Sequence, residues 1–216
     1  MDTELEKRLA AEAAAHYVED GMAVGLGTGS TAAYLLPALA RRKLSIRCVA
    51  TSARTEQAAA ALGLAVEHVD SMAELDIAID GADQITPDGW LIKGGGGAHT
   101  REKIVAASAA RFIVIADSTK PVPALHPPVP LELLGFGLPA TLRRLGSVKL
   151  RDAPPSPDGG IIADYLGPIG DPAALAARLS ATPGVIGHGL FAPELIWAVL
   201  IGRGHHVEER RLRDRP

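Results

Sequence analysis

Short apolar runs alternating with helix-period segments constrain this chain more than any other feature. Residues 3–19 carry Leu5, Leu9, Ala13 and Val18 at helical spacing, with Thr3 and Glu6 in a capping-box pattern. Residues 22–26 then read as a short buried strand. The loop Gly27-Thr28-Gly29-Ser30 opens a second helix over 31–42, in which Pro37 predicts a kink. The alternation continues with strand 45–51, helix 54–62, strand 75–79, helix 100–109 and strand 112–116. Parallel strands need crossover connections, so this order predicts an α/β fold: a Rossmann-like, mostly parallel sheet with helices on both faces.

The pattern changes after Lys120, where Pro121, Pro123, Pro127, Pro128 and Pro130 crowd together and exclude regular structure. Beyond them come strand 129–134, a helix opened by Pro139, a strand near 147–150 and a turn holding Pro154, Pro155 and Pro157. Strand 161–164, a helix started by Asp171 and Pro172, and an apolar run over 185–191 follow. That β-α-β-β-α-β order predicts a small ferredoxin-like α+β domain over 127–197. Residues 1–126 and 198–216 form the larger domain, to which the apolar run 196–201 and a charged tail return. No internal repeat is present.

The 216 residues, 47% hydrophobic and 22% charged, suffice for a real core. A net charge of -3 lacks the basic footprint of a nucleic-acid partner. Cys48, the single cysteine, permits no intrachain disulfide and reads as a buried strand thiol. The N-terminus is acidic where a signal peptide would be basic, and no apolar run approaches a membrane span of roughly 18 to 20 residues. A soluble cytoplasmic protein without membrane partners is expected.

Chemistry concentrates in three places. Gly94, Gly95, Gly96 and Gly97 stand between Lys93 and a helix beginning near Thr100, with His99, Glu102 and Lys103 beside them. Such a run is costly to order and lacks the length of a flexible linker, so it reads as backbone approaching a ligand. Residues 25–31 join a strand to a helix, where N–H groups favour a phosphate and Thr28, Ser30 and Thr31 add hydroxyls. Gly27, Gly29 and Ala32 also fit a dinucleotide fingerprint, but the second strand ends at Thr51 and Ser52 without the acidic residue a ribose needs. A nucleotide P-loop would need a lysine that is absent; a helix start with convenient glycines is the remaining alternative.

Asp80 and Asp83 flank Gly81 and Ala82 after strand 75–79, at the carboxyl edge where open α/β sheets bind ligands. They suit sugar hydroxyls or proton exchange, or equally an Asx-type turn. Gln84, Ile85 and Thr86 offer no third metal ligand. Glu102, in the first helical turn, is favoured as an ionised carboxylate and could be a base or simply a good helix opener. Lys93 and Lys120 are cations at strand ends, suited to a phosphate or an enediolate. The isolated histidines show no metal pattern, and serine, cysteine and zinc hydrolase motifs are missing.

These blocks, in order and spacing, resemble the type A ribose-5-phosphate isomerases. The likeness runs through residues 25–31, 51–56, 80–83, 93–103 and 116–120, and again through 183–191 and 198–202. The resemblance implies interconversion of ribose 5-phosphate and ribulose 5-phosphate in the pentose phosphate pathway, without metal or cofactor. It implies that Lys7, Thr28, Gly29, Ser30 and Thr31 hold the phosphate and that Glu102 is the base. Asp80, Gly81, Ala82, Asp83, Lys93, Gly94, Gly95 and Gly96 would surround the sugar, with Lys120 binding substrate. The larger domain would then be catalytic, and the smaller one would serve a homodimer or homotetramer. Three departures stand out: Gln84 where the family usually has glutamate, a fourth glycine and His99 in the loop, and the proline-rich 154–160 turn. The rivals are a non-catalytic sugar-phosphate sensor and a coenzyme A transferase or phosphosugar isomerase-deaminase of similar architecture.

Overall fold

Val24, Leu26, Ile77, Ile79, Ile113 and Ile115 are all fully buried in one apolar cluster. They occupy alternate positions of the strands Ala23–Leu26, Leu75–Gly81 and Ala109–Asp117, so the pleat turns them to one face. Ala10, Ala11 and Ala14 of helix Thr3–Ala15 and Leu35 and Leu39 of helix Ala32–Arg42 join the same cluster and cover that face. The other face carries Gly25 and Ala78 and receives helix His99–Ala107. A Cβ on Gly25 would lie 2.4 Å from a Val105 methyl, so only glycine admits this helix.

The computed structural model describes residues 2–72 and 74–213. Its main sheet has seven strands in the order His206–Arg211, Ala198–Arg203, Ala109–Asp117, Leu75–Gly81, Ala23–Leu26, Arg47–Ala50 and Ala65–Val66. Every neighbouring pair is parallel except the first, an antiparallel hairpin. The charged tail is thus an edge strand, and its Glu-Glu-Arg-Arg content blunts that edge. Cys48 lies fully buried in strand Arg47–Ala50, and burial pushes its thiol up to about 12.

The second sheet runs Val185–His188, Val129–Leu133, Ile161–Tyr165, Val148–Leu150, antiparallel throughout. Helices Leu138–Leu145 and Pro172–Ser180 bring Leu145, Leu175 and Leu179 onto Leu131, Leu133, Ala163 and Tyr165. This is the β-α-β-β-α-β unit read from the sequence. A third sheet was not foreseen: Gln84–Ile85, Leu91–Ile92 and Leu190–Phe191 are each two residues long, too short to show a period.

The chain divides into two compact units, Met1–Ala82 with Arg101–Lys120 and Glu194–Pro216, and Asp83–Thr100 with Pro121–Pro193. Residues 83–100, expected in the larger domain, are therefore grouped with the ferredoxin-like unit. Two local expectations are corrected. The first helix stops at Ala15 rather than running to 19, and Arg42 donates to the carbonyls of Ala15 and Val18 at its end. Its N-cap is Asp2, whose carboxylate accepts from Leu5 N at 3.1 Å. Glu6 is no capping partner: it is buried and bonded elsewhere.

Candidate active site

In the first unit the parallel strands end at three loops, and carboxylates hold their backbone. Asp80, 3% exposed, accepts on Oδ1 from Thr28 N at 3.0 Å and Gly81 N at 2.7 Å. Its carboxyl lies so close to Gly27 that a Cβ there would come within 2.0 Å of Asp80 Cγ and Oδ1, which is why that position needs glycine. The Thr28 hydroxyl is drawn into a cluster with Thr51 Oγ1 (2.7 Å), Ser52 Oγ (2.8 Å) and Thr55 Oγ1 (3.2 Å), and Thr55 donates on to Gly27 O. The 51–56 block therefore braces the loop.

Gly29 and Ser30 are exposed, Gly29 at φ +133°, and Thr31 N-caps helix Ala32–Arg42 without a side-chain capping bond. The helix start presents backbone and hydroxyl groups with no acidic residue in its first turn. Lys7 Nζ is 2.6 Å from Glu4, whose other oxygen accepts from Tyr34 of that helix at 2.7 Å. The Glu4 contact raises the Lys7 pKa, keeping a full positive charge there.

Glu6, 1% exposed, accepts from Gly204 N at 2.7 Å, Ser118 Oγ at 2.6 Å and Ser118 N at 3.0 Å. These bonds, Gly204 foremost, hold its carboxyl near 2 against an ordinary 4.5. Asp117, also buried, accepts from Thr119 N and its hydroxyl, and Lys120 N closes the turn onto Asp117 O at 3.3 Å. Glu6 thus tethers the loop that carries Lys120. Glu102 is 4% exposed in the first turn of helix His99–Ala107, and its neighbour Lys103 is brought down to about 8 by burial.

In the second unit Asp83 is exposed, donates its own N–H to Ile92 O at 2.8 Å and accepts from Gly95 N on Oδ2 at 2.9 Å. Lys93 follows the strand Leu91–Ile92, only 2% exposed, its ammonium 5.4 Å from the centre of the buried Phe191 ring. Gly94 turns at φ +102° over the fully buried His99, which a Cβ there would approach to 2.7 Å. His99 therefore props the loop from beneath. Among the described residues, no three His, Cys, Asp or Glu side chains are grouped as a metal site would require.

Three residues make bonds that their sequence neighbourhoods do not announce. Glu6 fits a capping pattern, yet its carboxylate binds Ser118 and Gly204. Gln84, the departure from glutamate, now has a physical reason: its Oε1 accepts from His126 N at 2.9 Å while its Nε2 donates to His126 O at 2.8 Å. An ionised glutamate could not make the second bond. Arg151 donates to the carbonyls of Gly94 and Gly95 from far along the chain, and no local pattern announces it.

The family model for ribose 5-phosphate isomerase A (phosphoriboisomerase A) matches residues 47–206. A Roseiflexus castenholzii protein named ribose-5-phosphate isomerase A is 47% identical over 96% of both chains. One from Caulobacter sp. (strain K31) is 46% identical over 88% of this chain and 91% of its own. Among solved structures, a ribose 5-phosphate isomerase A from Neisseria gonorrhoeae superposes with a TM-score of 0.91 at 31% identity, covering 96% of each chain. A D-ribose-5-phosphate isomerase in complex with phospho-erythronic acid gives 0.91 at 34% identity, over 98% of this chain and 100% of that one. With a matching family model, near-full-length relatives and the same fold, the chain belongs to the ribose 5-phosphate isomerase A family.

Proposed function

We propose that this protein interconverts ribose 5-phosphate and ribulose 5-phosphate through a cis-enediol, with Glu102 moving the proton between C2 and C1. The observation that carries the reading is Glu102 itself, a carboxylate 4% exposed in the first turn of the helix that the glycine run feeds. A helix N-terminus favours the ionised carboxylate that a base must be. One base serving both carbons takes a proton from C2 of the aldose and returns it to C1 of the ketose, so no electrons leave the substrate.

The other groups take roles that their surroundings support. Gly29, Ser30 and Thr31 offer donors to the phosphate and Lys7 supplies charge, with the Thr28 backbone fixed by Asp80. Asp80, engaged with two backbone amides, is the positioning member of the acidic pair. The exposed Asp83, one oxygen of which accepts from Gly95 N, exchanges protons with sugar hydroxyls as the ring opens. Lys93 and the glycine-run amides stabilise the enediolate oxygen, Gly81 and Ala82 line the sugar beside Asp83, and Lys120 adds a cation. Base and oxyanion stabilisation each supply on the order of 100- to 10,000-fold. A second copy of the chain is the partner assigned to the small sheet, where Leu134 and Leu166 stand exposed at two strand ends and Ile186 is exposed in the bulged strand Val185–His188.

The test is purified protein with ribose 5-phosphate and no added metal, followed by proton NMR in deuterated water. Conversion with deuterium entering the exchanging carbon is expected, and Glu102→Gln should keep substrate binding while losing about 100- to 10,000-fold in kcat. Binding without conversion by the wild-type chain would favour a sensor. Full activity in Glu102→Gln would remove it as the base, and EDTA inhibition reversed by one divalent ion would overturn the metal-free route.

A further inference from the structure

Arg151, just beyond the strand Val148–Leu150, is fixed by two bonds to Asp164, from Nε to Oδ2 at 2.9 Å and from Nη2 to Oδ1 at 2.7 Å. That fork leaves Nη1 aimed at backbone. It donates to Gly94 O at 3.1 Å and Gly95 O at 3.0 Å. The Gly94 carbonyl and the Gly95 N–H belong to one trans peptide unit, so they point in opposite directions. Gly95 N–H donates to Asp83 Oδ2 at 2.9 Å. One peptide plane is thus held between a guanidinium on its oxygen and a carboxylate on its nitrogen, an arrangement in which each charge strengthens the other's bond.

The adjoining peptide obeys the same geometry. With the Gly95 carbonyl turned to Arg151, the Gly96 N–H points away from it, and Gly95 and Gly96 are the exposed members of the run. Glycine has no side chain to fix its own conformation, so an external group must select one arrangement from many. Arg151 binds two successive carbonyls of the run, a task its planar fork suits better than a lysine ammonium.

We infer that Arg151 is a positioning residue for the isomerase reaction: it orients the Gly94–Gly96 backbone so that the Gly96 N–H faces the substrate oxygen and Asp83 is held through the Gly95 amide. Asp164 acts one step further back, by fixing Arg151. The inference rests on the reading under Proposed function, but part of its test does not.

The experiment compares Arg151→Met, Arg151→Lys and Asp164→Asn with the wild-type chain. Arg151→Met should lower kcat by about 10- to 100-fold while KM and competitive inhibition by inorganic phosphate stay within about 3-fold, because the orientation effect is felt in the transition state. Arg151→Lys should recover part of the loss. Amide exchange at Gly95 should speed up at least 10-fold in Arg151→Met, a readout independent of turnover. Asp164→Asn leaves Arg151 its carbonyl acceptors and should cost under about 5-fold in kcat. Gly95 exchange unchanged in Arg151→Met would overturn the proposal. So would kcat within 3-fold of wild type, or an Asp164→Asn loss equal to that of Arg151→Met, which would assign the effect to the ion pair alone. Absence of wild-type turnover would instead remove the isomerase reading and leave the exchange result to stand by itself.

Discussion

The two glycine-bearing loops are held differently: carboxylates take the backbone of the first, and a carboxylate and a guanidinium together clamp the second. In the first unit, carboxylates collect backbone N–H groups: Asp80 takes those of Thr28 and Gly81, Glu6 those of Ser118 and Gly204, Asp117 that of Thr119. In the second unit donors collect carbonyls as well: Arg151 takes those of Gly94 and Gly95 while Asp83 takes the Gly95 N–H, and Gln84 meets both the N–H and the carbonyl of His126. The contrast follows from what each loop must present. A strand-to-helix turn already has surplus N–H groups, so a buried acid can take one and still leave others for an anion. A glycine run offers both kinds of group, and a cation on its carbonyls turns its amides outward.

The largest break in that pattern comes at Gly27. Alanine there would drive a Cβ into Asp80, and relief requires the carboxyl to release the Thr28 and Gly81 amides. Gly27→Ala should therefore lose about 3 to 5 kcal/mol of stability, from overpacking together with unmade charged bonds. Inorganic phosphate should bind at least 10-fold more weakly. Gly29→Ala meets nothing within 4 Å and suffers only backbone strain at φ +133°, about 1 to 3 kcal/mol. Urea titrations of the pair check the order; equal losses would mean that the Asp80 contact is not what fixes Gly27.

Glu6 sharpens the comparison through pH. Its carboxyl is depressed from 4.5 to about 2, so it binds fewer protons folded than unfolded, and the stability it contributes is complete above about 4.5 and lost as pH falls through about 2. Glu6→Gln keeps one acceptor and opposes an NH2 to the remaining donors, costing about 2 to 3 kcal/mol at pH 7. The gap between variant and wild type should narrow steadily from pH 5 to pH 2. A gap independent of pH would show that the Glu6 charge is not what the Ser118 and Gly204 amides hold.

Much of this was legible in the chain because strand and helix periods are local. The five strands read at 22–26, 45–51, 75–79, 112–116 and 196–201 and the ferredoxin-like order follow from runs of a few residues, whereas the outer strands Ala65–Val66 and His206–Arg211 were not read. What escaped was held together by distance. Thr3 and Glu6 satisfy a capping pattern on paper, yet the Glu6 carboxylate reaches residues 112 and 198 positions away. Arg151 reaches back 57 and 56 positions to the glycine run. Side-chain bonds to remote backbone leave no periodicity, and two-residue strands such as Leu190–Phe191 leave too little of it. The backbone amides that Asp80 and Asp83 each hold were hidden for the same reason.

The smallest effect tests the second unit's side of the contrast. Gln84 meets His126 with both an acceptor and a donor, so Gln84→Glu keeps the bond to His126 N but sets a carboxylate oxygen against His126 O in a site 7% exposed. The cost at neutral pH should be about 1 to 2 kcal/mol. The new acid would be favoured in its protonated form, which can donate to the carbonyl, so its folded pKa would rise above the unfolded value. The penalty is then full above the folded pKa and disappears as pH falls below the unfolded one, opposite in direction to the wild-type contribution of Glu6. Thermal midpoints of wild type and Gln84→Glu should converge between pH 7 and pH 4. A constant offset would mean that the His126 carbonyl turns to another donor, and that the amide at position 84 is a preference of packing rather than of hydrogen bonding.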